Sequence, residues 1–139
     1  MSSGQRFVFD TNVLVSALLF ETSVPGRGFF TALTVGDILI SQPLINELAN
    51  VLARPKFDRY VDSSAREKFL VELVRKSQLT GITRSIAICR DATDNMLLEV
   101  ATCGGASCIV SGDEDLLILD PFEGVRILTP SDFLAWLKT

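Results

Sequence analysis

Histidine is absent from all 139 residues of this chain. That absence removes Ser-His-Asp and Cys-His nucleophilic catalysis, imidazole general-base chemistry and every histidine-ligated zinc or iron site. Any catalysis has to run on carboxylates, hydroxyls, cationic side chains, thiols or a bound cofactor. Long apolar runs are lacking too. Val13–Phe20 is eight residues long, against roughly 20 needed to cross a bilayer. Asp10 breaks the apolar stretch that a signal peptide would need. We therefore expect a cytoplasmic protein without a membrane span. Cysteine is scarce and odd in number: Cys89, Cys103 and Cys108, with no CxxC pair. Their neighbours are apolar or small, so they read as reduced, buried thiols rather than a disulfide framework.

Hydrophobic residues, in contrast, make up 47% of the chain. A chain of this length buries roughly two-thirds of its unfolded surface, enough for a core without disulfides or structural zinc. No linker, repeat or low-complexity tract divides it, so residues 1–139 read as one domain. Five short apolar runs read as strands: Arg6–Phe9, Asp37–Ile40, Ser85–Ile88, Ser107–Val110 and Val125–Leu128. Runs this short and this apolar suit strands buried on both faces of a parallel sheet.

Helical periodicity fills the intervals. Ser41 ahead of Pro43 opens a helix in which Leu44, Ile45, Leu48, Val51 and Leu52 recur until Pro55. Ser64 with Glu67 reads as a capping box ahead of Phe69, Leu70, Leu73 and Val74. Asp91 and Thr93 precede an apolar helix stopping at Gly104-Gly105, and Thr129-Pro130-Ser131-Asp132 opens the last one. One helix is expected between the first two strands. The alternation is an α/β order with right-handed crossovers.

In open α/β sheets, ligands bind beyond the carboxyl ends of the strands, where the strand order switches. Several acids lie there. Asp10 directly follows the first strand, Asp94 comes shortly after the third with Asp91 beside it, and Asp113 follows the fourth with Asp115 two residues on. Glu47 falls at the edge of the buried stripe of its helix, where a carboxylate reaches a cleft without entering the core. Each acid also has a purely structural use. Asp10 is suited to capping a helix that begins at Thr11 or Asn12, Asp113 to capping the turn that follows it, Asp94 to a first helical turn and Glu47 to a solvated face.

Taken together they point to a cation. Carboxylates that converge in one cleft raise each other's pKa, and a bound ion relieves that. An all-oxygen set suits Mg²⁺ or Mn²⁺ rather than Zn²⁺. Such an ion orients and acidifies a water and neutralises charge on a phosphodiester under in-line attack. Thr11, Asn12 and Ser111 are the polar neighbours suited to holding waters or orienting Asp10 and Asp113, and equally to turn and cap bonding.

Four segments, in order, resemble the PIN domain family: Phe9-Asp10-Thr11-Asn12-Val13-Leu14, Glu47 in a helix after the second strand, Asp91-Ala92-Thr93-Asp94-Asn95 before an apolar helix, and Val110-Ser111-Gly112-Asp113-Glu114-Asp115-Leu116. The likeness spans essentially the whole chain and is similar to the branch assigned as toxin components of prokaryotic toxin–antitoxin pairs. It implies a three-layer α/β/α sandwich with a central, mostly parallel five-stranded sheet. It also implies a Mg²⁺- or Mn²⁺-dependent ribonuclease whose catalytic and metal-binding acids correspond to Asp10, Glu47, Asp94 and Asp113. Asp115 is an additional candidate metal or water ligand and Asp91 a supporting one. Ser111 stands where the family more often has threonine, and Leu116 where phenylalanine is commoner. The resemblance further implies RNA as substrate, a small antitoxin as partner and a homodimer.

The net charge of −4 looks wrong for an RNA enzyme until its distribution is read. Residues 54–90 hold nine basic and four acidic side chains, +5, and the remainder is −9. Arg54, Lys56 and Arg59, with Tyr60, are the candidate RNA contacts. Pairs such as Glu72 with Lys76 are an equally good use of such charges. Phe29, Phe30 and Phe57 are candidates for an antitoxin-facing surface, with core packing as the alternative. Three other readings compete. A non-catalytic RNA- or protein-binding module of the same fold predicts binding without cleavage. A phospho-receiver domain wants paired acids after the first strand and a lysine after the fifth, and neither is present. A haloacid-dehalogenase-like phosphatase wants an aspartate where Asn12 stands.

Overall fold

A computed structural model of the chain describes residues 4–139; residues 1–3 of the expected domain lie outside it. In chain order the elements are β1 (Arg6–Phe9), α1 (Thr11–Leu19), α2 (Val24–Val35), β2 (Asp37–Ile40), α3 (Gln42–Leu52), a 3-10 turn (Pro55–Phe57), α4 (Ser63–Lys76), β3 (Gln78–Leu79), α5 (Ala92–Gly104), β4 (Cys108–Val110), α6 (Glu114–Leu117), β5 (Arg126–Leu128) and α7 (Pro130–Leu137). The strands form one sheet in the order β3-β2-β1-β4-β5, and every strand pair in it is parallel. The chain starts at the centre with β1, steps outward through β2 and β3, then returns to β4 on the other flank of β1. The order therefore switches between β1 and β4. There Phe9 stands opposite Val110, and the Asp10 N–H donates to the Val110 carbonyl at 3.0 Å.

Burial on both faces explains why the inner stretches of β1, β2 and β4 are apolar, whereas the edge strand β3 is exposed. Phe7, Val8 and Phe9 are all within 1% of full burial. Alternation sends Phe7 and Phe9 to one face, where they meet Phe133 edge-on at 5.1 and 5.7 Å, and Phe9 meets Phe29 at 5.5 Å. Edge-to-face pairs of this kind add about 0.5–1.5 kcal/mol each beyond their burial. The rings belong to β1, α2 and α7. Across the sheet, α5 packs on β1, β2 and β4, and α3 packs on α5, α1 and α4. The backbone turns into β2 at Gly36, where a Cβ would lie 2.7 Å from both the Gln5 carbonyl oxygen and the Phe7 ring.

Several local expectations hold. Ser41, Asp91 and Thr129 cap α3, α5 and α7 with their side chains, and Gly105 ends α5 in the left-handed region at φ 68°. Others do not. Residues 85–88 form no strand: β3 comes earlier, at Gln78–Leu79, paired with Leu39 and Ile40. The reason lies on α5, which presents polar side chains one turn apart to the segment that precedes it. Cys103 Sγ accepts from the Thr83 N–H, Glu99 Oε2 from the Ile86 N–H at 2.8 Å, and Asn95 Oδ1 from the Ile88 and Cys89 N–H groups. Backbone donors consumed this way cannot join a ladder. The cap of α4 is Asp62, which accepts from the Ala65 N–H at 2.7 Å, rather than Ser64. Two helices, not one, connect β1 to β2, because Ser23 and Pro25 start a new helix after the break at Phe20. Of the cysteines only Cys108 is buried; its thiol is pushed up to about 12 by burial. Cys89 and Cys103 are half-buried, and all three are free.

Candidate active site

Beyond the carboxyl ends of β1 and β4 lies a cleft of about 190 Å³, lined by Asp10, Thr11, Asn12, Glu47, Val51, Arg54, Asp91, Thr93, Asp94 and Asp113. Larger grooves exist, such as one of about 360 Å³ between α3 and α4, but no cluster of acids converges on them. Five carboxylates from four separate regions of the chain thus meet at the switch point of the sheet. The capping uses read from the sequence are seen, and the same acids line the cleft. Asp10, Asp91 and Asp113 are the N-caps of α1, α5 and α6, and Asp94 stands in the first turn of α5. Three helix N-termini point at one place, and their partial positive charge offsets some of the carboxylate repulsion.

Ser111 organises the floor. Fully buried, it donates its hydroxyl to Asp10 Oδ2 at 2.6 Å and accepts the Asp113 N–H at 3.0 Å. Asp10, 4% exposed, also accepts from the Thr11 hydroxyl and the Asn12 N–H, both at 3.4 Å. Burial raises the pKa of Asp10; the bonds from Ser111, Asn12 and Thr11 pull it back down, and the charge of Asp113 pushes it up. Asp94 is 3% exposed, and its Oδ2 is buried without any hydrogen-bond partner. Its pKa is raised to about 7, first by burial, then by its close contact with the Asp113 carboxyl and the charges of Asp10 and Asp91. None of the five cleft acids forms an ion pair with a basic side chain among the described residues.

Glu47, half-buried, lines the cleft from α3, a helix that packs beside α1 and α5. Asp115 does not line the cleft. It turns into the neighbouring groove, where Arg90 Nη2 donates to both its oxygens at 2.8 Å, while its N–H donates to Asp113 Oδ1. Lys56 and Arg59 also lie outside the cleft lining, Lys56 with its ammonium 5.2 Å from the Phe57 ring centre. Of the three phenylalanines considered for a partner surface, Phe29 and Phe57 are buried and Phe30 is 40% exposed. Thr93, expected only at a helix start, lines the cleft, and Arg66, expected only as part of the basic segment, is buried. A signal existed for Arg66: it shares a helical stripe with Leu70 and Leu73, a core position held by a cation.

The donor chemistry fits a hard divalent cation. The cleft offers five carboxylates beside the Thr11 and Thr93 hydroxyls and the Asn12 amide, with one carboxylate oxygen buried and unpartnered and no competing salt bridge among the described residues. The side chains are not closed around a point. Among the described residues no three acids or thiols are gathered tightly enough to enclose an ion as they stand.

Residues 6–115 match the family model of the PIN domain. The chain belongs to the PIN domain family. Members of this family are generally nucleases, and membership sets aside the receiver and phosphatase alternatives. The chain is 28% identical over 123 residues to the uncharacterized protein MJ1680 of Methanocaldococcus jannaschii, a match covering 82% of this chain and 74% of that one. Its fold is similar to the crystal structure of PAE2754 from Pyrobaculum aerophilum, with a TM-score of 0.64, 16% identity, and coverage of 99% of this chain and 93% of that one. It is also similar to a chain of VapBC2 from Rickettsia felis, solved bound to a DNA fragment from their promoter, with a TM-score of 0.60, 11% identity, and coverage of 88% and 97%. At these identities the solved structures speak for the PIN fold alone. No helix among the described residues is long and apolar enough to cross a membrane.

Proposed function

We propose that this PIN domain is a metal-dependent endoribonuclease that hydrolyses RNA phosphodiester bonds in the acidic cleft, as the toxin half of a toxin–antitoxin pair. The observation that carries the reading is Asp94. A carboxylate buried to 3% exposure, with one oxygen unpartnered and Asp10 and Asp113 beside it, is costly to keep ionised unless a cation joins it. Asp10, Asp94 and Asp113, with Glu47 at the rim, would hold Mg²⁺ or Mn²⁺. Such an ion supplies charge neutralisation at the scissile phosphate and an acidified water in a protein that has no histidine.

The protein's own residues do the orienting. Ser111 fixes the Asp10 carboxylate by donating to Oδ2 and holds the Asp113 backbone by accepting its N–H. Asp91 secures the start of α5, and so the placement of Asp94, by accepting the Thr93 N–H at 2.9 Å. Thr11, Asn12 and Thr93 add polar groups to the lining. The toxin assignment is supported by the fold shared with a VapBC2 chain of Rickettsia felis; an antitoxin and a cytoplasmic homodimer belong to the same reading.

The test is cleavage of a labelled RNA by wild type and Asp10→Asn, with Mn²⁺ and with chelator. Mn²⁺-dependent cutting that the substitution lowers by about a hundredfold or more supports the reading. Cleavage that survives both chelation and Asp10→Asn overturns it. RNA binding without any cleavage would favour the non-catalytic module.

A further inference from the structure

Among the described residues, Arg54 is the one cation lining the acidic cleft, and it bonds to none of the acids around it. Among the other cations of the basic segment, Lys56, Arg59 and Lys68 also form no ion pair among the described residues, so what sets Arg54 apart is its place in the cleft. Arg66, Arg75, Arg84 and Arg90 pair with Asp58, Glu72, Glu123 and Asp115. The Arg54 guanidinium has no hydrogen bond or ion pair among the described residues, although five carboxylates share its cleft. Its base, in contrast, is held on every side. The Arg54 N–H donates to the Val51 carbonyl at 3.2 Å, and its carbonyl accepts from the Phe57 N–H at 3.1 Å. The buried Arg66 then clamps the turn, Nη1 donating to the carbonyls of Leu52 at 2.8 Å and Arg54 at 3.2 Å. Pro55 confines Arg54 to extended backbone, observed at φ −64° and ψ 132°.

A free planar fork on a fixed base matches the oxygens of a phosphate, to which arginine binds in bidentate fashion. A cleft that gathers five carboxylates would otherwise repel a polyanion. We propose that Arg54 grips a backbone phosphate of single-stranded RNA lying across this cleft. The inference rests on the ribonuclease reading for the identity of the polyanion. The rival role for Arg54 is local: its charge merely tempers repulsion among the acids.

Binding separates the two. Wild type, Arg54→Ala, Arg54→Lys and a control, Arg27→Ala in the groove between α2 and α7, are titrated with a fluorescein-labelled single-stranded RNA oligonucleotide. The buffer contains Ca²⁺ at a series of salt concentrations, and probe length is checked after each titration. Arg54→Ala is expected to weaken binding about tenfold and to reduce the slope of log affinity against log salt by about 0.7, one phosphate contact on a single strand. Arg54→Lys should keep the slope and recover only part of the affinity, and Arg27→Ala should change neither. An unchanged slope in Arg54→Ala overturns the proposal, as does an equal loss in Arg27→Ala or no binding by wild type. So does tighter Mn²⁺ binding by Arg54→Ala with RNA binding unaltered, which is the signature of the local role. Cleavage in Mn²⁺ is read separately. Wild type that binds RNA through Arg54 yet never cuts it sinks the nuclease reading and leaves the role of Arg54 standing.

Discussion

Ser111 and Asp10 are separated by 101 positions in the chain, yet the Ser111 hydroxyl donates to Asp10 Oδ2 at 2.6 Å. Parallel pairing of β1 with β4 makes them neighbours: Phe9 faces Val110, and each strand delivers its next residue to the same rim. The same hydroxyl accepts the Asp113 N–H, so one side chain sets two acids of the cleft at once. Ser111→Ala should leave a buried carboxylate oxygen and a backbone N–H short of a partner. The expected loss is about 1–3 kcal/mol of stability, read as a fall in Tm, with cleavage reduced at least tenfold. Unchanged activity would show that Asp10 needs no orienting.

Stability of the metal-free protein should fall as pH rises. Asp94 has a folded pKa of about 7 against an ordinary 3.8. Between roughly pH 4 and 7 the folded state therefore binds more protons than the unfolded one, and the stability curve slopes downward before flattening above 7. Thermal melts in chelator from pH 4 to 8 should show this, and Asp94→Asn should remove most of the slope and raise Tm at the alkaline end. A Tm that climbs across that window would contradict the burial of an unpaired acid.

Divalent ions should reverse the loss. Mn²⁺ at 100 times its dissociation constant stabilises a folded site by about 2.7 kcal/mol. The gain in Tm should be larger at pH 8 than at pH 5, because protons compete for the same carboxylates. An equal gain in an Asp94→Asn, Asp113→Asn double variant would place the ion elsewhere.

Two acids two residues apart should behave differently. Asp113 lines the cleft, whereas Asp115 is held by Arg90, whose side chain is 86% exposed. Exposed pairs of this kind are worth about 0–1 kcal/mol. Asp115→Ala should therefore change cleavage by no more than about fivefold, and Asp113→Asn by about a hundredfold or more. Equal losses would return Asp115 to the metal site.

Arg66→Ala tests the clamp beneath the cleft. It removes a buried guanidinium that bonds the Leu52 and Arg54 carbonyls and the Asp58 carboxylate. We expect about 2–4 kcal/mol of lost stability by denaturant titration. A change under 1 kcal/mol would mean that the turn after α3 holds itself.

The strand expected at residues 85–88 was decided by distant side chains. Ile86 and Ile88 alternate as in a strand, but Glu99 and Asn95 take the N–H groups a strand would have used. Nothing local to residues 85–88 announces that. Asp62 and Ser64 are both sound helix caps, and Asp62 takes the role by accepting the Ala65 N–H. Asp115 reads as well as Asp113 until Arg90 is seen to face it.

What the chain's order of residues determined by itself was short-range or periodic. It specified four of the five strands, helix starts at Ser41, Asp91 and Thr129, the stop at Gly105, the exclusion of imidazole chemistry by the lack of histidine, and the PIN-type spacing of the acids. Tertiary structure alone decided which acids meet, that Asp94 is buried with an unpartnered oxygen, and that Arg54 faces the cleft unpaired. The physical reason is range. Propensity, capping and hydrophobic period act over a few residues, whereas desolvation and charge coupling depend on which groups the parallel sheet brings together from opposite ends of the chain.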